Sequence, residues 1–156
     1  KAGYRQVAAA DKVDQIDFLK GLGAAEVIDR ETLMENADRP MMKERWAGAV
    51  DVVGGPMLAA VLKSTCYGGR VTCCGLVGSP DLPVNVFPFI LRGVSLIGID
   101  SVQCPDAPRR QVWEKLADNW KIDLAPLTTE ITLTELEASI QAILKGDIKG
   151  RVLVKL

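Results

Sequence analysis

Apolar and polar positions along the chain fall into short blocks whose lengths point to strands joined by helices. The central block runs AGAVDVVGGPMLAAVLKSTCYGGRVTCCGLVG over residues 47–78. Residues 50–53 are apolar apart from Asp51 and stop at Gly54-Gly55, the pattern of a strand covered on both faces. Pro56 follows at a helix start, where a missing N–H is no loss. Met57, Leu58, Val61 and Leu62 then lie on one helical face. Gly68-Gly69 reads as the end of that helical region and 70–74 as a second strand, left by Gly75-Leu76-Val77-Gly78. Strand, helix and strand of these lengths define a parallel βαβ unit with a right-handed crossover. Ligands of open α/β sheets lie beyond the carboxyl ends of the strands. Function is therefore expected at the Gly54-Gly55 turn and in the loop 74–78.

The flanking sequence extends the alternation. Lys1-Ala2-Gly3 reads as the last turn of a helix, which suggests a chain that begins inside an element, and 5–10 reads as a strand. Asp11 caps a helix with the apolar stripe Ile16, Phe18, Leu19 and Leu22, ended by Gly23. A short strand at 25–28 precedes the polar stretch 29–45, where Asn36, Asp38 and Pro40 mark a turn between two helical pieces. Further on, the pattern predicts a short helix over 87–91, a strand over 94–99, a helix over 109–120 and a strand over 130–133. Thr134 with Glu137 reads as a capping box for a helix buried through Leu136, Ile140, Ile143 and Leu144. Gly146 stops that helix, and 152–154 is the last strand.

Composition narrows the function classes. A chain of 156 residues, 48% hydrophobic and 25% charged, supports one globular domain with a real core. A net charge of −1 gives no basic field for nucleic acid or an anionic membrane. No apolar run approaches the ~20 residues of a membrane span. Nothing at the start resembles a signal peptide. The cysteines, Cys66, Cys73, Cys74 and Cys104, contain no C-x-x-C pair, and the chain has no histidine. The usual zinc spacings and any Ser-His or Cys-His nucleophile are thus absent, and reduced thiols in a cytoplasmic protein are expected.

Several ordered phrases resemble zinc-independent medium-chain dehydrogenases/reductases: 18–24 (FLKGLGA), 46–51 (WAGAVD), Tyr67-Gly68-Gly69 and Cys74-Gly75-Leu76. The segments 87–92 (FPFILR), 98–101 (GIDS) and 150–155 (GRVLVK) are similar to the acryloyl-coenzyme A reductase branch, which also carries the quinone oxidoreductase label. The resemblance implies an α/β, Rossmann-type doubly wound parallel sheet lacking its first strand and Gly-rich loop, in a chain about half the length of the family's proteins. It implies a partial NAD(P)-binding domain over 1–125 and a segment, 126–156, that returns to a GroES-like substrate domain. It further implies NADPH, an enoyl-coenzyme A or enone substrate, no metal, and a homodimer formed through the segment 87–96. The implied reaction delivers hydride to the β-carbon of acryloyl-coenzyme A and a proton to the α-carbon, giving propionyl-coenzyme A. The catalytic acid is unassigned.

The family's motif positions supply candidate cofactor contacts. The segment after the second Rossmann strand selects the cofactor, a cation there accepting the 2′-phosphate. Here it reads Ala10-Asp11-Lys12 where the family carries Ser-Gly-Arg or Thr-Gly-Arg types. Lys12 keeps the cation, Ala10 lacks the hydroxyl, and Asp11 adds a like charge beside the phosphate. Asp11 as a plain N-cap with Lys12 solvated is an equal reading of the residues alone. Arg30 matches a cofactor-contacting arginine after the third strand. Gly75 lets a ligand approach the backbone and Leu76 can wall the nicotinamide, although the same glycine serves a tight turn. Ile90 and Ser101 match further contacts, although for Ile90 the residues alone favour plain core packing. Lys145 stands where relatives carry asparagine. Two other readings stay open: a quinone or small-enone reductase, and a non-catalytic nucleotide-binding module. Without the Gly-rich loop and its helix N-terminus, residues 1–156 alone are expected to bind NADPH weakly.

Overall fold

In the computed structural model, which describes residues 3–10 and 15–156, the βαβ pattern forms with its element ends displaced. The chain divides into two compact units, one ending at Pro105 and the other beginning at Asp106. The first contains β1 (Val7–Ala9), α1 (Ile16–Gly21), β2 (Glu26–Ile28), α2 (Arg30–Met34), β3 (Trp46–Asp51), α3 (Gly55–Lys63), β4 (Thr65–Cys73), α4 (Phe87–Arg92) and β5 (Ser95–Gly98).

β3 ends at Asp51, two residues before the apolar run does. The Asp51 carboxylate accepts the N–H groups of Val53 at 3.2 Å and Gly54 at 2.8 Å, which turns the chain out of the ladder. α3 then starts beside Pro56 and stops at Lys63, well before Gly68-Gly69. It stops there because Ser64 Oγ and Thr65 Oγ1 bond back to the carbonyls of Ala60 and Val61, both at 2.7 Å. The glycine pair instead serves a bulge. Trp46 pairs with Thr65 but Gly48 pairs with Arg70, so the intervening β4 residues bow out. Gly68 has φ +70, and a Cβ on Gly69 would lie 2.8 Å from the Ala47 carbonyl.

The core is the buried cluster Leu58, Leu62, Val71 and Val94, with Ala49, Phe89 and Leu96 packed against it. Leu62 and Val71 are fully buried, which favours folding by roughly 1.5–3 kcal/mol each. This core lies on one face of β3 only: Val50, pointing the other way, is 78% exposed, so the expected double coverage is absent among the described residues. Arg92 fastens α4 to the far end of the unit. Its Nη1 donates to the carbonyls of Lys63 (2.9 Å) and Thr65 (3.3 Å), its Nη2 to that of Met42 (2.7 Å), and its Nε lies 3.1 Å from Glu44. The second helical piece expected before Arg45 does not form. Met42 N–H bonds to Lys63 O at 3.0 Å and Arg45 N–H to Ser64 O at 2.8 Å, which draws that stretch along the end of α3.

All ladders in this unit are parallel, in the orders β1-β2 and β3-β4-β5. In the doubly wound order 3-2-1-4-5-6, β2-β1 would stand for strands 3-2 and β3-β4-β5 for strands 4-5-6, with no strand among the described residues in the first position. The observed class is thus the expected one, with no ladder joining β1 to β3 among the described residues.

The second unit holds α5 (Asp106–Ala117), β6 (Thr128–Thr132), α6 (Leu136–Leu144) and β7 (Arg151–Lys155), with β6 and β7 parallel. Its capping box is Thr132 with Glu135, not Thr134 with Glu137. β6 ends at Thr132, so this residue has the extended backbone that a cap requires, and Glu135 Oε2 accepts its N–H at 2.8 Å and its hydroxyl at 2.7 Å. The α6 stripe does not make the expected buried face. Ile140, Ile143 and Leu144 are all exposed, and α6 buries no residue.

Candidate functional site

Within each of the two sheets of the first unit the strands run parallel, so the residues that leave their carboxyl ends gather at one end of each sheet. Asp51 ends β3, Cys74-Gly75-Leu76 leaves β4, and Ser101 follows β5. Ala10 follows β1, its N–H bonded to Ile28 O at 3.0 Å, and Arg30 opens α2 just beyond β2. Asp11 and Lys12 lie outside the described residues. Ile90 sits on α4, between strands, and is 72% exposed, so the core-packing reading fails for it. Lys145 belongs to the second unit, where it caps α6 and its N–H bonds to Gln141 O.

The strand ends share a device. Asp29, at the end of β2, caps α2 by accepting the Thr32 N–H. Asp51 accepts from Val53 and Gly54. Asp100, after β5, accepts from Val102 (2.9 Å) and Gln103 (3.3 Å). Each carboxylate folds its loop back through main-chain N–H groups. The bond from the Thr32 N–H holds the Asp29 carboxyl below its ordinary range, keeping it ionised beside Arg30.

The β3 and β4 loops are laced together. Cys74 N–H donates to Asp51 O at 3.0 Å, Gly78 N–H to Val53 O at 2.8 Å, and Ser79 pairs with Gly54 in a parallel bridge. Gly75 packs so closely that a Cβ would lie 2.5 Å from Val52 O, so glycine is required there for packing against the neighbouring loop. Leu76 is 64% exposed beside it, an apolar side chain held at the mouth of the site by a rigid turn. The apolar pattern assigns no role to Asp51 or Ser79; an aspartate at a strand end followed three residues later by glycine is the signal for the Asp51 turn.

This is a nucleotide-binding type of α/β architecture, with its loops collected at the carboxyl edge. The family model described as "Zinc-binding dehydrogenase" matches residues 1–120, and the chain belongs to that family. It is 46% identical to "Putative quinone oxidoreductase YhfP" of Bacillus subtilis, over 100% of this chain and 48% of that protein. A crystal structure of B. subtilis YhfP with NAD bound matches at a TM-score of 0.92, covering 99% of this chain and 47% of that one. "Acrylyl-CoA reductase AcuI" of Ruegeria pomeroyi is 43% identical over 97% of this chain and 46% of its own length. The crystal structure of Escherichia coli K-12 YhdH with bound NADPH is 44% identical, with a TM-score of 0.88, over 98% of this chain and 47% of that chain. The chain thus spans about half the length of the relatives it matches.

The zinc in the family's description finds no home in these residues. The chain has no histidine, and among the described residues no three Cys, Asp or Glu side chains converge. No described helix is long and apolar enough to cross a membrane.

Proposed function

We propose that the protein carrying this chain reduces the activated C=C bond of an enoyl thioester with NADPH, with acryloyl-coenzyme A as substrate. The observation that carries this reading is 43% identity to an acrylyl-CoA reductase over 97% of the chain. The laced β3 and β4 loops support it, because they stand where an open parallel sheet receives its ligand. Bound NADPH would supply a hydride for the β-carbon of the substrate. The chain's own residues bind and orient. Gly75 sets the turn that presents Leu76 as an apolar wall for the nicotinamide. Ser101 offers a hydroxyl to the ribose or carboxamide, and Ile90 lines the approach. Arg30, with the Ala10-Asp11-Lys12 segment, meets the 2′-phosphate.

In this reading residues 1–125 are the nucleotide-binding part and 126–156 dock on a substrate domain. The protein is cytoplasmic and a homodimer, paired along 87–96. The dimer is supported by an outer edge of β5 that has no ladder partner among the described residues, and by the exposed Leu91 and Ile97. The test offers the whole protein NADPH with acryloyl-coenzyme A, a benzoquinone or a small enone and follows loss of NADPH absorbance. Turnover of the thioester well above the other two is expected. Quinone turnover alone would replace this reading with the one in the YhfP name.

A further inference from the structure

The loop leaving β3 holds a conformation that needs external support. Gly54 has φ 73 and ψ −162, a region essentially closed to other residues. A Cβ there would also lie 2.3 Å from Ser79 O. Such backbone persists only where its surroundings over-determine it. Here the support comes from Asp51, which is buried at 7% exposure. A single oxygen, Oδ2, accepts both the Val53 and the Gly54 N–H. The main-chain carbonyl of the same residue accepts the Cys74 N–H at 3.0 Å and lies 3.6 Å from Cys74 Sγ. One residue thus fixes the first turn of both loops. Beyond it the loops touch through Gly78 N–H to Val53 O, the Gly54–Ser79 bridge and the close approach of Gly75 to Val52 O. Asp51 has no ion-pair partner among the described residues, and its acceptor atom is wholly engaged by main-chain N–H groups.

We infer that Asp51 is a positioning residue: it couples the β3 and β4 loops through the acceptor geometry of Oδ2, not through its charge. That these loops then hold NADPH rests on the function proposed above. Removing the acceptor orphans the N–H of Gly54, a buried residue, and frees the strained turn, and the release passes through Val53 and Gly54 to residues 77–79. An asparagine carbonyl supplies the same acceptor.

The test compares Asp51→Ala, Asp51→Asn and Asp51→Ser in the whole protein. Hydrogen–deuterium exchange is read in peptides covering 51–55 and 74–79, and NADPH is titrated by nicotinamide fluorescence. Asp51→Ala should speed exchange about tenfold in both peptides. It should also raise the NADPH dissociation constant about tenfold, while Asp51→Asn stays within about threefold of wild type. Faster exchange confined to 51–55, or Asp51→Asn behaving like Asp51→Ala, would overturn the coupling. Should Asp51→Ala fail to fold, Asp51→Ser, which keeps a single weaker acceptor, should give an intermediate rise in both peptides. A wild-type protein that binds no NADPH would remove the cofactor reading, and the exchange comparison would still decide the coupling.

Discussion

α3 and α6 are both nine-residue helices with similar amphipathic stripes, yet they end in opposite situations. α3 buries Leu58, Ala59, Ala60, Leu62 and Lys63, whereas α6 buries nothing. Each carries apolar residues at helical spacing, and each is preceded by a strand that enters a parallel ladder. The difference is the partner. α3 lies against β4 and α4, and Val71 of β4 and Val94, just before β5, pack with Leu58 and Leu62. Among the described residues nothing closes over Ile143 and Leu144. A hydrophobic stripe states that a helix wants a partner. It does not state whether this stretch of chain supplies one.

The contrast is sharpest in large-to-small substitutions. Leu62→Ala, at a site with no exposure, should cost about 2–5 kcal/mol in urea unfolding of the whole protein. Ile143→Ala should cost about 0.5 kcal/mol or less if α6 stays uncovered. If 126–156 dock on a substrate domain as proposed, the Ile143 cost should rise towards the Leu62 value, and equal costs would erase the contrast.

Arg92 tests whether the first unit also depends on a buried polar lock. Its side chain is only 15% exposed, and the guanidinium bonds three carbonyls. Arg92→Ala should destabilise by about 3 kcal/mol, and Arg92→Lys should recover only part, because an ammonium cannot span the same fork. A loss below about 1 kcal/mol in chemical denaturation would show that apolar packing alone holds α4 in place.

Replacing both Lys12 and Arg30 by Ala should raise the Michaelis constant for NADPH about tenfold more than that for NADH. Equal effects on the two would detach these residues from the 2′-phosphate. That outcome is a live test, since the matched structures carry NAD in one case and NADPH in another.

The smallest effect belongs to the second unit. The bond from the Thr132 hydroxyl, followed by that from its N–H, holds the Glu135 carboxyl below its ordinary range. A carboxylate with a lowered folded-state pKa stabilises the fold above its unfolded value and loses that contribution as pH falls through the folded one. Helix α6 should therefore fray on acidification below the ordinary glutamate range. Exchange of the Thr132 amide should quicken there, and Glu135→Gln should remove most of that pH dependence.

The sequence by itself determined the parallel α/β class, the βαβ centre, the helix at Phe87 and the helix stops at Gly23 and Gly146, which have φ 108 and 74. These follow from local sterics and periodicity, which a short window of residues contains. It also determined that Gly75 and Ser101 would both follow the carboxyl ends of strands in one sheet, because β4 and β5 pair in parallel. The tertiary structure decided what depends on distant partners. Asp51 became the end of β3 because a carboxylate that can reach two N–H groups outweighs two more residues of apolar strand. Gly68-Gly69 became a bulge because Ala47 and Thr65 crowd that backbone. The capping box moved to Thr132 because a ladder with β7 sets where β6 stops. The exposure of Val50 and Ile143 was decided in the same way, since burial belongs to a pair of surfaces and a sequence pattern describes only one of them.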